Sequence, residues 1–203
     1  MSVARRALAA PVLLGLTARD ALAERPRIGQ VAAVTGEARA DYTGVPTRML
    51  SAQDALLLND TLSTGLAARL ACRLVGGLEI RLGEKASLRI DALTLDGPRP
   101  GTVLRVFEGP LLLDRAPQAG TSPIEVRLPW ARIGVRGTRF FAGLLDGRNA
   151  VFVERGRVAV QAGGGTAELG AGEGVDQAVP GGPLGPVVRW GAPRIARAMA
   201  LVS

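Results

Sequence analysis

From Arg27 onward apolar and polar residues alternate with a period of two, in runs of about five to nine residues separated by Gly, Pro, Asn or Asp. In LAARLACRL, Leu66, Ala68, Leu70, Cys72 and Leu74 share one side, while Arg69 and Arg73 take the other. Gly76-Gly77 then turns the chain, and LEIRL places Leu78, Ile80 and Leu82 inward with Glu79 and Arg81 outward. KASLRI repeats the pattern with Ala86, Leu88 and Ile90 inward. Such strands bury one side only, so each needs a second layer or a closed roll to cover it.

The C-terminal half continues in this manner. TVLRVFEGPLLLD, SPIEVRL, ARIGVRG, TRFFAGLLD, NAVFVERGRVAV and GTAELGAGEGVDQ read as short extended segments. Asp146-Gly147 and the stretch Glu154-Arg155-Gly156-Arg157 each separate two runs and are expected to be turns, because Gly147 and Gly156 accept positive φ. Helical period returns only in PRIARAMALV, a predicted short terminal helix with Pro193 in its first turn and Ile195, Met199 and Val202 on one side. The expected fold is all-β: one domain over residues 27–178, its many short antiparallel strands forming a roll, sandwich or β-helix-like stack. Residues 179–203 supply a Gly/Pro linker and the helix.

The start of the chain differs in kind. Arg5 and Arg6 precede the mainly apolar ALAAPVLLGLTA, and Ala21-Leu22-Ala23 has the small residues of a cleavage site. Residues 1–23 are therefore expected to be an export signal, placing the remainder in the periplasm, with secretion as the alternative. No later segment is long and apolar enough to cross a membrane as a helix.

Composition narrows the chemistry. The chain has 203 residues, a net charge of +7 and no histidine, so it lacks the commonest general base near neutral pH and the commonest zinc ligand. Cys72 is the one cysteine, which excludes an intramolecular disulfide, and its inward phase favours a buried thiol over a nucleophile. Around Gly77 and Gly163-Gly164-Gly165 the spacing of a phosphate-binding loop is missing. Carboxylates such as Glu79, Asp91, Glu108, Asp114, Glu125 and Glu154 are scattered over polar-phase or turn positions. No catalytic residue, cofactor or metal site is expected, and no nucleic-acid partner.

ARIGVRGTRFFAG is the least ordinary stretch. Ile133 and Val135 share one phase of a strand and Arg132 and Arg136 the other, and Gly137 interrupts it where a bulge or a close backbone approach is needed. One reading is a bulged core strand with solvated arginines. The other is a basic partner surface formed by Arg132, Arg136, Arg139, Arg148, Arg155 and Arg157.

Three stretches together resemble the FecR family domain: GQVAAVTGEARA at 29–40, LLLNDTLSTGLAARLACRLVGGLEIRLGEKASLRI at 56–90, and GVRGTRFFAGLLDGRNAVFVERGRVAVQ at 134–161. Gly137, Thr138, Arg139 and Phe140 match the family's most distinctive element, and Val151, Val153, Gly156, Val158 and Val160 match the stretch that follows it. The resemblance runs from about Arg27 to Gln177. It implies a β-rich periplasmic domain; the best-known members sense an outer-membrane siderophore receptor and signal through a membrane helix to a cytoplasmic sigma factor. This sequence shows neither an anti-sigma segment nor a membrane helix. The expectation carried over is an extracytoplasmic protein-binding or scaffold module in envelope signalling, whose partner is a protein or an envelope polymer. The alternatives are a carboxylate-dependent enzyme acting on an envelope polymer and a structural subunit of an envelope assembly.

Overall fold

The computed structural model describes residues 25–95, 100–116 and 122–203, apart from the side chain of Arg136. The leader expected over 1–23 lies outside this range. The strands are β1 (Arg27–Thr35), β2 (Ala38–Tyr42), β3 (Val45–Met49), β4 (Ala55–Leu57), β5 (Thr61–Thr64) and β6 (Arg69–Leu74). They continue as β7 (Leu78–Leu82), β8 (Ser87–Thr94), β9 (Gly101–Glu108), β10 (Leu111–Arg115) and β11 (Ile124–Arg127). Then follow β12 (Arg132–Leu145), β13 (Arg148–Ala162), β14 (Gly165–Leu169), β15 (Glu173–Gln177), β16 (Val188–Arg189) and helix α1 (Ala192–Ala200).

All sixteen strands belong to one sheet that folds over on itself without closing into a barrel. One layer runs β3-β2-β5-β8-β9-β11 to the first half of β12, then to the second half of β13 and to β14. The other runs β4-β1-β6-β7-β10 to the second half of β12, then to the first half of β13, β15 and β16. A single buried cluster fills the space between them, with Leu62, Leu88, Ile90, Leu104 and Ile133 from the first layer and Leu70, Ile80, Leu82, Leu113 and Phe140 from the second. Of the roll, sandwich or β-helix-like stack expected from the alternation, the chain forms an open roll, and most of the predicted inward residues lie in its core. Leu66 does not; it is 71% exposed, because Ala67 turns the chain at φ +49° and the strand starts only at Arg69.

Two further expectations are corrected. The pairing is not wholly antiparallel: β9 and β11 run parallel, since the chain crosses through β10 in the opposite layer before it returns. Nor is Glu154–Arg157 a turn. It lies inside β13, and β12 and β13 form one hairpin, 14 and 15 residues long, closed at Asp146-Gly147 with both residues at positive φ.

That hairpin passes between the layers at a corner. Its register slips between Arg136 and Phe140, where Gly137 has φ +61° and Gly156 opposite it has φ +87°. A Cβ on Gly156 would stand 2.5 Å from the Gly137 carbonyl oxygen and 2.8 Å from the Thr138 hydroxyl oxygen. Thr138 is fully buried there, and its hydroxyl donates to the Arg157 carbonyl at 2.8 Å. Strands that change sheets do so at bulges of this kind.

Beyond the corner the central strands are buried on both faces. Leu111-Leu112-Leu113, Phe140-Phe141-Ala142 and Ala150-Val151-Phe152-Val153 have no exposed member, as expected of strands covered on both sides. The outer cover is α1 with Trp190, which stacks on Phe152 at 4.9 Å between ring centroids. Gly174 makes room for this, since a Cβ there would lie 2.3 Å from the indole nitrogen. Arg194 lies 4.0 Å over the Trp190 ring and holds both oxygens of Asp176 at 2.7 and 2.8 Å, and Arg197 reaches Asp146 at 2.8 Å. The predicted helix thus docks on its own domain.

Candidate partner-binding surface

Antiparallel and parallel registers alike bring one residue of each strand into line across a sheet, so outward side chains form rows. On the outer face of the first layer Arg89 is aligned with Arg105, Arg105 with Arg127, and Arg127 with Arg132, over β8, β9, β11 and β12. Four guanidinium groups therefore stand side by side. Their carboxylates come from the neighbouring row, two residues along the same strands. Asp91 accepts from Arg89 at 2.6 Å and from Arg105 at 2.8 Å, and Glu125 accepts from Arg127 at 2.7 Å. Arg132 is exposed and makes no ion pair among the described residues.

The electrostatics follow from these contacts. Partial burial pushes the Asp91 carboxyl up, but hydrogen bonds from Arg89 and Arg105 outweigh it and hold the group below its ordinary value. Glu125 is likewise lowered, first by its hydrogen bond from Arg127, against some desolvation, and then by the charges of Arg127 and Arg132. Both groups are ionised at neutral pH, leaving four positive and two negative charges along the row. Beside Arg132 is a concavity of about 410 Å³ whose lining includes Val103, Glu125, Gly134, Ala159 and Gln161.

The outer face of the second layer has a row of another composition. Arg73, Glu79, Asp114, Arg139 and Arg155 are aligned across β6, β7, β10, β12 and β13. Arg73 reaches Glu79 at 3.2 Å, Arg139 reaches Asp114 at 2.8 Å and Glu154 at 2.6 Å, and Arg155 reaches Asp114 at 2.7 Å. Desolvation lowers the Arg139 pKa, and its hydrogen bonds to Asp114 and Glu154 more than offset this, so it lies above the ordinary value.

The six arginines singled out in the sequence consequently do not form one patch. Arg132 and Arg157 are exposed on the first layer's outer face, and Arg136 is aligned with Arg157 there, its side chain being outside the described set. Arg139 and Arg155 belong to the compensated row of the other face, and Arg148 stands exposed at the closing end of the hairpin. Sequence reasoning missed Arg89, Arg105 and Arg127. Each is an outward arginine in an alternating strand, but their alignment depends on register between strands distant in sequence.

Cys72 is buried between β1 and β7, and burial pushes its thiol up to about 12. Among the described residues no group of three or more His, Cys, Asp or Glu could hold a metal ion. Asp60 is 1% exposed but accepts from Arg25 at 2.7 Å, Arg48 at 2.6 Å and the Leu57 amide at 2.9 Å.

Residues 60–159 match the family model described as FecR protein. The chain carries a FecR family domain. Two solved structures of a protein described as an anti-sigma factor from Parabacteroides distasonis, at 2.50 and 1.65 Å resolution, share the fold of this FecR domain. Each has a TM-score of 0.55 and 18% identity and covers 67% of this chain. The chain spans 62% of the length of those proteins. No curated protein matches the sequence. Within the FecR domain, the Gly137-Thr138-Arg139-Phe140 element is the corner of the long hairpin: the glycine takes the positive φ, the threonine ties the two strands, and Phe140 enters the core fully buried. No helix among the described residues is long and apolar enough to cross a membrane.

Proposed function

We propose that this chain is a periplasmic signalling module that works by binding another protein, and that it catalyses no reaction. The observation that carries the reading is the state of its carboxylates. Asp60, Asp91, Asp114 and Asp176 are each held by arginine. A general acid needs a carboxyl whose pKa is raised towards neutrality by an apolar site; Asp91 and Glu125 are shifted the opposite way. A glycoside-cleaving pair is thus disfavoured, and an exposed, ordered, charged sheet face is left as the working surface. Membership of the FecR family and the fold shared with proteins described as anti-sigma factors support a role in envelope signalling.

The test is photo-crosslinking in the native envelope, with the full chain carrying a photoreactive residue in turn at Phe107, Arg127 and Arg148. Repeated recovery of one membrane receptor or secretion component at one of these positions supports the reading. Recovery of glycan fragments alone, or a change in an isolated envelope polymer on adding the purified chain, overturns it.

A further inference from the structure

We infer that the Arg89–Arg105–Arg127–Arg132 row docks an extended acidic segment of a partner protein, with carboxylates at alternate positions. The inference deepens the protein-binding reading and rests on it. Adjacent strands lie about 4.8 Å apart, so four aligned arginines span about 14 Å. An extended chain crossing the strands rises about 3.4 Å per residue, and over the same 14 Å it presents three side chains on one side. Three carboxylates about 6.8 Å apart can thus meet the row, the outer two at Arg89 and Arg132 and the middle one bridging Arg105 and Arg127. Asp91 already shows this geometry from within the fold, one oxygen on Arg89 and the other on Arg105.

Charge complementarity selects the occupant. The row carries an excess of arginine, and Arg132 lines the concavity over Gly134 and Ala159, where a Cβ on Gly134 would meet nothing within 4 Å. Side chains of a crossing peptide have room there. A uniform polyanion or an anionic bilayer would press equally on Asp91 and Glu125, which stand beside the same row and repel it; a peptide can carry neutral residues opposite them. Three of the sheet edges are poor alternatives for strand addition, since β3 contains Pro46 and β4 and β16 have only three and two residues.

The experiment is a fluorescence-anisotropy titration of the full chain against a labelled eight-residue peptide alternating Glu and Ser. The variant pair is Arg127→Ser with Arg132→Ser; a control of equal charge combines Arg81→Ser with Arg148→Ser, both exposed and off the row. Saturable binding is expected, weakened about tenfold or more in the row variant and less than about twofold in the control. Raising the ionic strength from about 0.1 to about 1 M, which shortens the screening length from about 10 to about 3 Å, should abolish it. Absence of saturable binding to the unaltered chain, or equal loss in both variants, overturns the inference. So does tighter, row-dependent binding of polyphosphate or of phosphatidylglycerol vesicles. Unfolding curves for each variant identify loss through misfolding, in which case Arg127→Lys with Arg132→Lys, keeping the charge but not the fork, is titrated and expected to bind between the other two. Failure here with a crosslinked partner still recovered at Phe107 or Arg148 would relocate the surface and leave the protein-binding reading intact.

Discussion

The two outer faces of the roll carry rows of charge built by the same register rule, with opposite results. In the row Arg73–Glu79–Asp114–Arg139–Arg155 the acids stand in line with the bases, so Glu79 pairs across strands with Arg73, Asp114 is shared by Arg139 and Arg155, and the row is close to self-satisfied. In the row Arg89–Arg105–Arg127–Arg132 the acids are displaced by two residues along their own strands, and the guanidinium groups face one another in sequence. The first arrangement stabilises the sheet. The second orders its arginines with two carboxylates yet leaves net charge for another molecule.

The largest way to break the comparison is to remove the corner that keeps the rows on separate layers. Gly156→Ala forces a side chain into positive φ against the Gly137 carbonyl and Thr138, and should cost about 3 kcal/mol, read as a lower urea midpoint. Asp114→Ala should come next. It strips Arg139 and Arg155 of their shared acceptor, and with Asp114 only 22% exposed the loss should be about 1–2 kcal/mol by thermal unfolding. The equivalent change on the other face, Asp91→Asn, should cost less than about 1 kcal/mol, because its arginines are about 40% exposed, and should tighten the acidic peptide a few-fold. If Asp91→Asn destabilises more than Asp114→Ala, the distinction between a structural and a docking row is wrong. Gly134→Leu should leave the melting temperature nearly unchanged, since nothing lies within 4 Å of the new Cβ, while obstructing the peptide.

The smallest effect concerns pH. Asp91, Glu125 and Asp146 are held below their ordinary values in the folded chain, Asp146 chiefly by its hydrogen bond from Arg197. A lowered folded pKa gives stability that is complete above the unfolded value and lost as pH falls through the folded one. Melting temperature should therefore decline below about pH 4 and, with no histidine in the chain, stay level between about pH 6 and 8. A drop within that neutral window would show that some other group is strongly shifted.

Much of the fold was legible because burial on one side writes itself into alternation. Leu70, Cys72 and Leu74, Leu78, Ile80 and Leu82, and Leu88 and Ile90 are all buried as their phase predicts. Local turn chemistry was equally plain at Gly76-Gly77 and Asp146-Gly147. It misled at Gly156, where the same positive φ serves a corner inside a strand. The docking of α1 was out of reach, because the covered surface, Leu112, Phe141 and Phe152, comes from strands whose neighbours are set by register. The arginine row failed for the same reason: Arg89 and Arg132 are linked through two intervening strands.

The long hairpin also bears on the order in which the chain assembles. Its two strands are joined by two residues, and hairpins close in about 1–10 μs. Most of the other pairings, such as Gly29 with Leu74 or Ala38 with Thr64, must first close long loops, which makes folding slow. Because β12 and β13 belong to both layers, early closure of this hairpin offers two templates at once, one on each side of Gly137, onto which the distant strands can add.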